Sequence, residues 1–451
     1  MKKERRLLSG WGNFRPDWCD VAIPDSNDEL HSTIVGAASE QWISRGLGRS
    51  YGDSAFQSQG LVIDQTNLSG VIDIDVAQRK VQVQAGISLA ALIDQILPLG
   101  LFLPVSPGTK FVTVGGAIAA DIHGKNHHRD LSFGNHLDEI TLLLPSGEFI
   151  TCGPLTNTNL FWGTIGGMGL TGAIVDATVR CIPVESAQVR VESHRTTSLD
   201  ETLELLTKTA ESHRYSVSWI DALSSGTRLG RGWVLAGEHA GARELPAPLH
   251  DNPFRLPIRP TRNVPFHFPG WVLNNWSCGL FNERVYRGGI VKSDLVDLES
   301  FFYPLDSVHH WNRIYGRRGF IQYQALFPFE SAANSIRSML ELLHESGHAA
   351  FFAGIKSAGP ASGGLLSFLS PGFTIGLDLP YRAGLETLIE RWDRLVIEAG
   401  GRVYLAKDSL LSADSFRQMY PKWIEFVALR KEIDPSGAIS SNQSRRLGIT
   451  S

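Results

Sequence analysis

Two glycine-rich segments about sixty residues apart stand out in the first third of this 451-residue chain. The first is Arg45–Asp53, with the sequence RGLGRSYGD, and the second runs from Ser106 to His128 and contains VGGAIAADIHG. Glycine lets backbone N–H groups approach an anion closely and tolerates a positive φ, so such loops suit a pyrophosphate. Neither segment has the spacing of the Rossmann fingerprint or the Walker loop. Two separate loops around one diphosphate predict a flavin dinucleotide held in a different fold.

Together with FWGTIGGMGLTG at residues 161–172, these segments resemble the flavin domain of the vanillyl-alcohol-oxidase superfamily. Within it the chain is most similar to the oxidases of polyprenylphosphoryl ribose, and the similarity extends through residues 320–324 and 404–409. The resemblance implies an α+β fold: a PCMH-type FAD-binding domain of two α+β subdomains, and a substrate domain with an antiparallel sheet flanked by helices. It also divides the chain into an FAD-binding domain at 1–186, a substrate-binding domain at 187–400 and a C-terminal segment at 401–451 that returns to the FAD domain.

The composition excludes several classes of protein. Hydrophobic content of 43% and charged content of 20% are typical of a soluble globular chain. A net charge of −4 argues against nucleic acid as a partner, because phosphate binding needs a basic face. No apolar run approaches the roughly 18 residues of a membrane span, and no apolar stretch follows the charged N-terminus as in a signal peptide. We expect a soluble protein, cytoplasmic or peripheral at the inner-membrane surface.

The periodicity of apolar residues predicts three helices. One covers residues 88–97 with Ser88 as its N-cap, and two others cover 332–346 and 384–399. Gly400 and Gly401 follow the last of them as C-cap residues. We also predict short strands at residues 61–64, 81–85 and 139–144. Residues 166–172 are predicted to form a glycine-rich turn against the cofactor, and residues 246–269 a long proline-rich loop.

The resemblance implies which residues bind FAD. In the first loop they are Arg45, Gly46, Leu47, Gly48, Arg49, Ser50, Tyr51, Gly52 and Asp53. In the second segment and beyond they are Pro107, Gly108, Thr113, Val114, Gly115, Gly116, Ala119, His123, Gly124, Asn126, His127, Gly167, Gly169, Gly172, Ile174, Tyr404 and Lys407. Many relatives carry a histidine bonded covalently to the flavin at the position of Arg49. Arginine cannot form that bond, so the resemblance implies non-covalent FAD.

Four histidines crowd the second segment, which raises the question of a metal site. Their spacing is not that of a helical His-Glu-x-x-His site, and the four cysteines of the chain are scattered without a Cys-x-x-Cys pair. We therefore predict no metal and free thiols. A lone histidine is more often satisfied in the core, but the resemblance places His123 beside the flavin ring and the substrate.

Lys407 is the strongest single catalytic candidate. A flavin that accepts hydride develops negative charge, and a nearby ammonium stabilises that charge as it forms. Most lysines lie on the surface, but the apolar run before Lys407 favours the end of a strand directed at the site. For the proton of the substrate hydroxyl, the candidate acceptors are His123, Tyr51 and Lys407.

Residues from several later segments are predicted to line the substrate cleft. Gln322 and Gln324 share one face of a predicted strand, where their amides can hydrogen-bond sugar hydroxyls. The resemblance adds Trp219, Lys356, Thr374 and Gly376 to the cleft. Thr374 and Gly376 stand where the mycobacterial members have asparagine and cysteine, so the cleft is remodelled while the flavin machinery is retained.

The resemblance implies FAD-dependent oxidation of the C2' hydroxyl of a polyprenylphosphoryl-β-D-ribofuranose. A separate NAD(P)H-dependent short-chain reductase would then reduce the keto sugar on its opposite face, giving net epimerisation to the arabinose donor. Two alternatives stay open at this point. One is an alditol or free-sugar oxidase that uses O2, and the other is a non-catalytic flavin-binding partner subunit, against which the retained Lys407, His123 and Gln322 argue.

Overall fold

The computed structural model describes residues 3–37, 40–257, 259–260, 262–290 and 293–451. Helices and antiparallel sheets are mixed along the chain, which confirms the α+β class. The strands are β1 Lys3–Leu8, β2 Asp17–Ala22, β3 Trp42–Arg45, β4 Leu61–Asp64, β5 Val71–Asp75, β6 Lys80–Gln84, β7 Leu101–Phe102, β8 Leu137–Leu143, β9 Phe149–Cys152, β10 Ala173–Arg180, β11 Ile182–Pro183, β12 Gln188–Thr196, β13 Tyr215–Ile220, β14 Gly232–His239, β15 Arg262–Asn263, β16 Leu295–Asp297, β17 Val308–His309, β18 Phe320–Phe327, β19 Ala353–Ala358, β20 Gly372–Pro380 and β21 Arg402–Val403. The α-helices are α1 Asn27–Gly36, α2 Leu89–Ile96, α3 Val114–Ala119, α4 His127–Asp130, α5 Thr158–Thr164, α6 Leu199–Ser212, α7 Asn275–Gly288, α8 Leu298–Phe302, α9 Phe329–Ser346, α10 Leu385–Glu398, α11 Ala413–Met419, α12 Trp423–Ile433 and α13 Asn442–Arg446.

Two small sheets are built by the first 180 residues. The first has the order β1-β2-β4-β3, in which β4 runs parallel to both β2 and β3. The second is antiparallel, with the order β5-β6-β10-β8-β9. Helix α3 and the glycine-rich turn before β10 are joined by the Met168 N–H, which donates to the Ala119 carbonyl over 2.8 Å. The glycine-rich segments are thereby gathered between the two sheets.

An eight-stranded antiparallel sheet occupies the later part of the chain, in the order β16-β12-β14-β13-β19-β20-β18-β21. Helices α6, α9 and α10 pack on one of its faces. The buried positions of α9 recur at helical spacing, and Trp392 of α10 is fully buried against this layer. The opposite face is therefore the one left for polar and functional side chains.

The predicted helices are confirmed. Ser88 caps α2 by accepting from the Ala91 N–H, and Gly400 ends α10 in the left-handed conformation at φ +70°. Helix α9 begins at Phe329, three residues before its predicted start, because Pro328 directly precedes it and proline cannot continue a helix towards its N-terminus. The predicted strands are present as β4, β6 and β8.

Among its described residues the proline-rich stretch 246–269 contains one short 3₁₀ turn, Ala247–Leu249, and the two-residue strand β15; positions 258 and 261 lie outside the described residues. The stretch is thus largely irregular, as predicted. The structure places Gly166–Gly172 in turns, also as predicted. None of the helices in the described ranges is long and apolar enough to cross a bilayer.

Residues 438–446 return to the first small sheet. Trp42 of β3 exchanges backbone hydrogen bonds with this segment: its N–H donates to Ala438 over 2.7 Å, and its carbonyl accepts from Ser440 over 2.9 Å. Arg446 forms ion pairs with Asp53 at 2.7 Å and with Asp408 at 2.9 Å, so it connects the first glycine loop to the turn that carries Lys407. The domain limits 1–186, 187–400 and 401–451 stay a prediction.

Candidate active site

A cavity of about 610 Å³, counting its solvent-open mouth, lies between the two small sheets. The ends of β3 and β4, the first glycine loop, the turn after β6, helix α3 and the turn before β10 line it. The lining residues are Ser44, Arg45, Gly46, Ser50, Ser54, Ala55, Gln65, Ala85, Gly86, Thr113, Gly115, Gly116, Ala119, Ala120, Met168, Gly169, Gly172 and Ile174.

The residues that line the cavity leave space for an anion and supply hydrogen-bond donors to it. A Cβ added to Gly46 would lie 2.2 Å from the Thr113 hydroxyl, so only glycine fits there. The backbone N–H groups of residues 47–50 donate to no group within the described chain. The Ser44 hydroxyl is buried in the lining without a partner. Buried donors are normally satisfied, so these groups fit an acceptor-rich diphosphate.

Lys407 lies on a turn that follows β21, against Tyr51 of the first glycine loop. Its N–H donates to the Tyr404 carbonyl over 2.9 Å, which closes the turn. Strand β21 ends at Val403, four residues before Lys407. Its ammonium lies 3.7 Å from the ring centroid of Tyr51, a cation–π contact. Burial lowers the pKa of Lys407, the charge of Asp378 raises it, and the charge of Lys356 lowers it further.

Asp378 on β20 is the carboxylate that acts on Lys407. It accepts hydrogen bonds from the Gln322 amide and, over 3.2 Å, from the Tyr315 hydroxyl. Burial raises the pKa of Asp378, although both hydrogen bonds and the Lys407 charge oppose the rise. The pKa values of the amine and the carboxyl are thus both displaced towards neutrality, which lowers the cost of moving a proton to or from this pair.

His123 forms a second polar pair close by. Its Nε2 accepts from the Gln324 amide nitrogen over 2.9 Å, which assigns the ring proton to Nδ1, a buried atom without a partner among the described residues. The ring packs against Tyr404 and Phe368, with centroids 5.1 and 5.7 Å away. Burial lowers the pKa of His123 well below its usual value, so the imidazole is neutral and offers an N–H.

The polar face of the large sheet carries a transverse row of residues directly opposite one another. Gln324 pairs with Gly376, Gly376 with Gly354, and Gly354 with Trp219. Opposed residues in antiparallel strands share a face, so the two glycines form the floor of a groove between the amide and the indole. A Cβ at Gly376 would meet only the Gln324 side chain, at 3.9 Å. Lys356 and Thr374 are paired with each other on the same face.

Comparison with known proteins gives the family. Residues 20–153 match the model of the FAD binding domain, and residues 379–447 match that of D-arabinono-1,4-lactone oxidase. The decaprenylphosphoryl-β-D-ribose oxidase of Mycolicibacterium smegmatis is 40% identical over 98% of both chains. The chain belongs to the decaprenylphosphoryl-β-D-ribose oxidase family. An uncharacterized protein of Streptomyces coelicolor is 35% identical over 80% of this chain and its own full length, and an L-gulono-1,4-lactone dehydrogenase of Mycobacterium tuberculosis is 22% identical over 95% of both.

As a member of the decaprenylphosphoryl-β-D-ribose oxidase family, the chain is an FAD-dependent oxidoreductase with a PCMH-type FAD-binding domain. The cavity fits that cofactor: its glycines leave space, and its free N–H groups and hydroxyl supply donors. Ten of the residues predicted to bind FAD line the cavity: Arg45, Gly46, Ser50, Thr113, Gly115, Gly116, Ala119, Gly169, Gly172 and Ile174.

Other predicted cofactor residues are not among those that line this cavity, and their binding of FAD stays a prediction. Leu47 is 40% exposed, and Gly108 is exposed with nothing within 4 Å of a Cβ built on it. The Asn126 amide is engaged with the Pro104 carbonyl and Asp130, which ties the second segment together. Tyr51 and Lys407 are brought together with Gln322 around Asp378, and their roles stay predictions.

Several residues of the site are not among those predicted from the sequence. Asp378 and Lys125 carry charges that matter here, and both had a signal: a carboxylate inside the apolar strand sequence GFTIGLDLP, and a lysine two positions after His123. The missed lining residues of the cavity are Ser44, Ser54, Ala55, Gln65, Ala85, Gly86, Ala120 and Met168. Apart from Met168 they are small or amide side chains, and they are scattered along the chain from residue 44 to residue 168, so no local pattern identifies them.

The histidines of the second segment contact different groups and do not converge on one point. His128 contacts the His213 carbonyl at 3.0 Å, and His136 contacts that of Asp130 at 2.6 Å. In the described part of the chain no three histidine, cysteine or acidic side chains gather as a metal site would need. All four cysteines are buried and free.

We expect purified protein to release intact FAD when it is denatured by acid or heat. Arg49 stacks on Trp11 at 4.0 Å and near Phe111 at 5.6 Å, and a guanidinium cannot form the covalent bond that histidine forms in relatives. The measurement is the absorbance of the supernatant after the protein is precipitated. Flavin that stays in the pellet would contradict the prediction.

A cysteine placed at Gly376 should react with a maleimide, whereas the native protein should not. The native thiols are buried and burial raises their pKa, to about 12 for Cys152 and Cys181 and to about 11 for Cys278. Intact mass after labelling gives the answer. Gly36→Cys, at an open position on α1, is the control for reagent quality. An unlabelled Gly376→Cys would mean that the groove floor is closed.

Proposed function

We propose that the chain oxidises the C2' hydroxyl of a polyprenylphosphoryl-β-D-ribofuranose to the 2'-keto sugar with non-covalent FAD. The observation that carries the proposal is the contact of the Lys407 ammonium with the Tyr51 ring, where the charge of Asp378 acts on it, together with the His123–Gln324 hydrogen bond on the polar face of the large sheet. The Mycolicibacterium relative acts, by its name, on decaprenylphosphoryl-β-D-ribose. That relative covers nearly the whole chain, which supports the transfer of its substrate class.

When bound, FAD accepts the hydride that leaves C2' of the sugar. Burial lowers the pKa of Lys407 to about 7, and in its neutral form the amine takes the hydroxyl proton from the substrate as the carbonyl forms. The resulting ammonium then stabilises the negative charge that the transferred hydride brings. Tyr51 is an unsuitable acceptor, because burial raises its pKa well above 10 and its phenol stays protonated.

The amides and the imidazole orient the sugar in this proposal. The Nδ1–H of His123 is a free donor, and the Gln322 and Gln324 amides lie two positions apart on one face of β18. Trp219 gives the groove a flat wall opposite them. Thr374 and Gly376 complete the cleft, with Thr374 buried at 2% exposure. Hydrogen bonds of this kind hold the reacting C–H bond in position without adding chemistry of their own.

The rate of cofactor reduction by substrate is expected to rise with pH through the lowered pKa of Lys407, because the neutral amine accepts the proton. In Asp378→Asn the charge that favours the ammonium is gone, so the midpoint should move to lower pH. Anaerobic stopped-flow rates across the neutral range measure both midpoints. Glu432→Gln, on the exposed side of α12, is the matched control. Identical midpoints in the native protein and Asp378→Asn would contradict the assignment.

A keto sugar must be reduced again for the reaction to yield an epimer. We therefore propose a separate NAD(P)H-dependent short-chain reductase as a partner. We also propose peripheral contact with a membrane surface, since the substrate is a lipid. Large apolar side chains are exposed on and before α7, Trp276 by 74% and Trp271 by 73%, with Phe266 and Leu280 near them in sequence. Aromatic side chains of this kind favour the interface of a bilayer.

The test is anaerobic mixing of the FAD-loaded protein with farnesylphosphoryl-β-D-ribofuranose while the flavin absorbance is followed. Bleaching is expected, and trapping the product with borodeuteride should place deuterium at C2'. Free ribose and D-arabinitol are the comparison compounds. Bleaching by those compounds but not by the phosphoryl riboside would replace the proposal with a free-sugar or alditol oxidase. No bleaching by any of them would favour a non-catalytic flavoprotein.

A further inference from the structure

A cluster of cationic side chains lies at one end of the groove. Lys356 is its centre, because its charge lowers the pKa values of Lys125, Lys407, His123 and His127. Burial brings the pKa of Lys356 to about 8 and that of Lys125 to about 7. Both lysines are partly buried, and like charges held this close to each other are costly unless an anion accompanies them.

The described residues provide little compensation for these charges. Asp378 acts on Lys407, but no carboxylate acts on Lys356 or on Lys125. The Lys356 ammonium has no hydrogen bond or ion pair within the described chain, although the backbone of Lys356 is paired in the sheet. The residue is partly buried, and a lysine in such surroundings usually has a partner of opposite charge.

The backbone contacts of Lys356 and Lys125 position both residues at the same end of the groove. Lys356 lies on β19 on the face of Gly354, and it pairs across the sheet with Thr374. The Lys125 carbonyl accepts from the Ser216 N–H of β13 over 2.8 Å, and its ammonium donates to the Phe301 carbonyl while lying 4.3 Å from the Phe301 ring centroid. One bond to a carbonyl leaves two of the three ammonium protons free.

His127 provides an independent sign of a missing group. Its Nδ1 accepts from the Gly359 N–H over 3.1 Å, which places the ring proton on Nε2. That Nε2 is buried without a partner among the described residues. Burial lowers the pKa of His127 to about 3, so the ring is neutral and Nε2 is a donor that lacks an acceptor.

We propose that Lys356 and Lys125 form a subsite for the phosphodiester of the substrate, with His127 as a further donor. The inference rests on the proposed function, which supplies a sugar attached to a phosphodiester. The ribose then lies towards Lys407 and His123, and the phosphate lies at the far end of the groove floor formed by Gly354 and Gly376. The pyrophosphate of FAD is a different anion, since its cavity is lined by the glycine segments and by neither of these lysines.

Binding of methyl farnesyl phosphate, a phosphodiester without a sugar, tests the subsite by titration calorimetry of the FAD-loaded protein. Lys356→Met and Lys125→Met should each weaken its binding about 10- to 100-fold, the range for loss of a hydrogen bond to a charged group. Binding of farnesol should change less than twofold. Lys356→Arg should retain most of the affinity, and Lys431→Met, an exposed lysine of α12, is the matched control.

Three results would overturn the subsite. The native protein could bind the diester no better than farnesol, the lysine variants could lose both ligands equally, or they could lose FAD instead. If Lys356→Met does not fold, as judged by thermal unfolding, Lys125→Met and the Lys356→Arg comparison decide the matter. Failure of the proposed function is separate: the diester would still bind through the lysines, while farnesylphosphoryl ribose would bleach no flavin.

Discussion

Replacing Lys407 with alanine is expected to leave FAD bound and to slow its reduction by substrate about 10²- to 10⁴-fold, the range for loss of a positioned acid–base group or charge. The physical reason is that Lys407 combines two tasks at one atom. Its Nζ accepts the hydroxyl proton, and the ammonium so formed remains against the Tyr51 ring, 3.7 Å from its centroid, as negative charge develops. Lys407 is also the lysine whose charge lowers the pKa of Asp378.

Single-turnover reduction under anaerobic conditions measures this effect without interference from re-oxidation. The flavin content of the variant is measured first, because loss of cofactor would imitate loss of catalysis. Lys431→Ala removes an exposed lysine of the same kind and should leave the rate unchanged. A rate for Lys407→Ala near that of the native protein would move the proton-accepting role to another residue, with His123 the first to test.

Gly46→Ala is expected to weaken FAD binding about 10- to 100-fold, the cost of overpacking a fitted site. The new Cβ would lie 2.2 Å from the Thr113 hydroxyl. That hydroxyl cannot simply turn away, because it accepts from the Gly116 N–H over 3.1 Å as the N-cap of α3. Either the cap is lost or the first glycine loop moves, and both change the lining of the cavity.

Fluorescence titration of the apoprotein with FAD measures the affinity of this variant. Gly36→Ala, at the end of α1 with nothing within 4 Å of the added Cβ, is the control and should bind FAD normally. An affinity for Gly46→Ala equal to that of the native protein would show that the loop adjusts freely and that its close approach to Thr113 has no role in cofactor binding.

Local signals in the sequence predicted much of the fold. The Ser88 cap, the apolar spacing of α9 and α10, and Gly400 at the end of α10 each depend on residues within one or two turns of one another. The family resemblance then supplied the flavin domain, which no local pattern contains. The position of Lys407 was expected at a strand end, but the strand stops at Val403 and a turn carries the lysine.

The groove could not be predicted in the same way. It depends on Gln324, Gly376, Gly354 and Trp219 lying directly opposite one another, although these residues are separated by up to about 160 positions in the chain. A shift of one residue in any pairing would turn a side chain to the helical face. Asp378 and Lys125 were missed for a related reason: their importance comes from neighbours that only the sheet brings near.

The return of residues 438–446 to the first sheet has a consequence for biosynthesis. Arg446 bonds to Asp53 across 393 positions of sequence, and Gln443 donates to the Leu405 carbonyl over 2.8 Å. A nascent chain on the ribosome therefore has its first glycine loop long before it has the residues that fix that loop against the Lys407 turn. Until residue 446 has been made, the loop lacks its ion pair, so the first glycine loop and the Lys407 turn are joined to each other only late in synthesis.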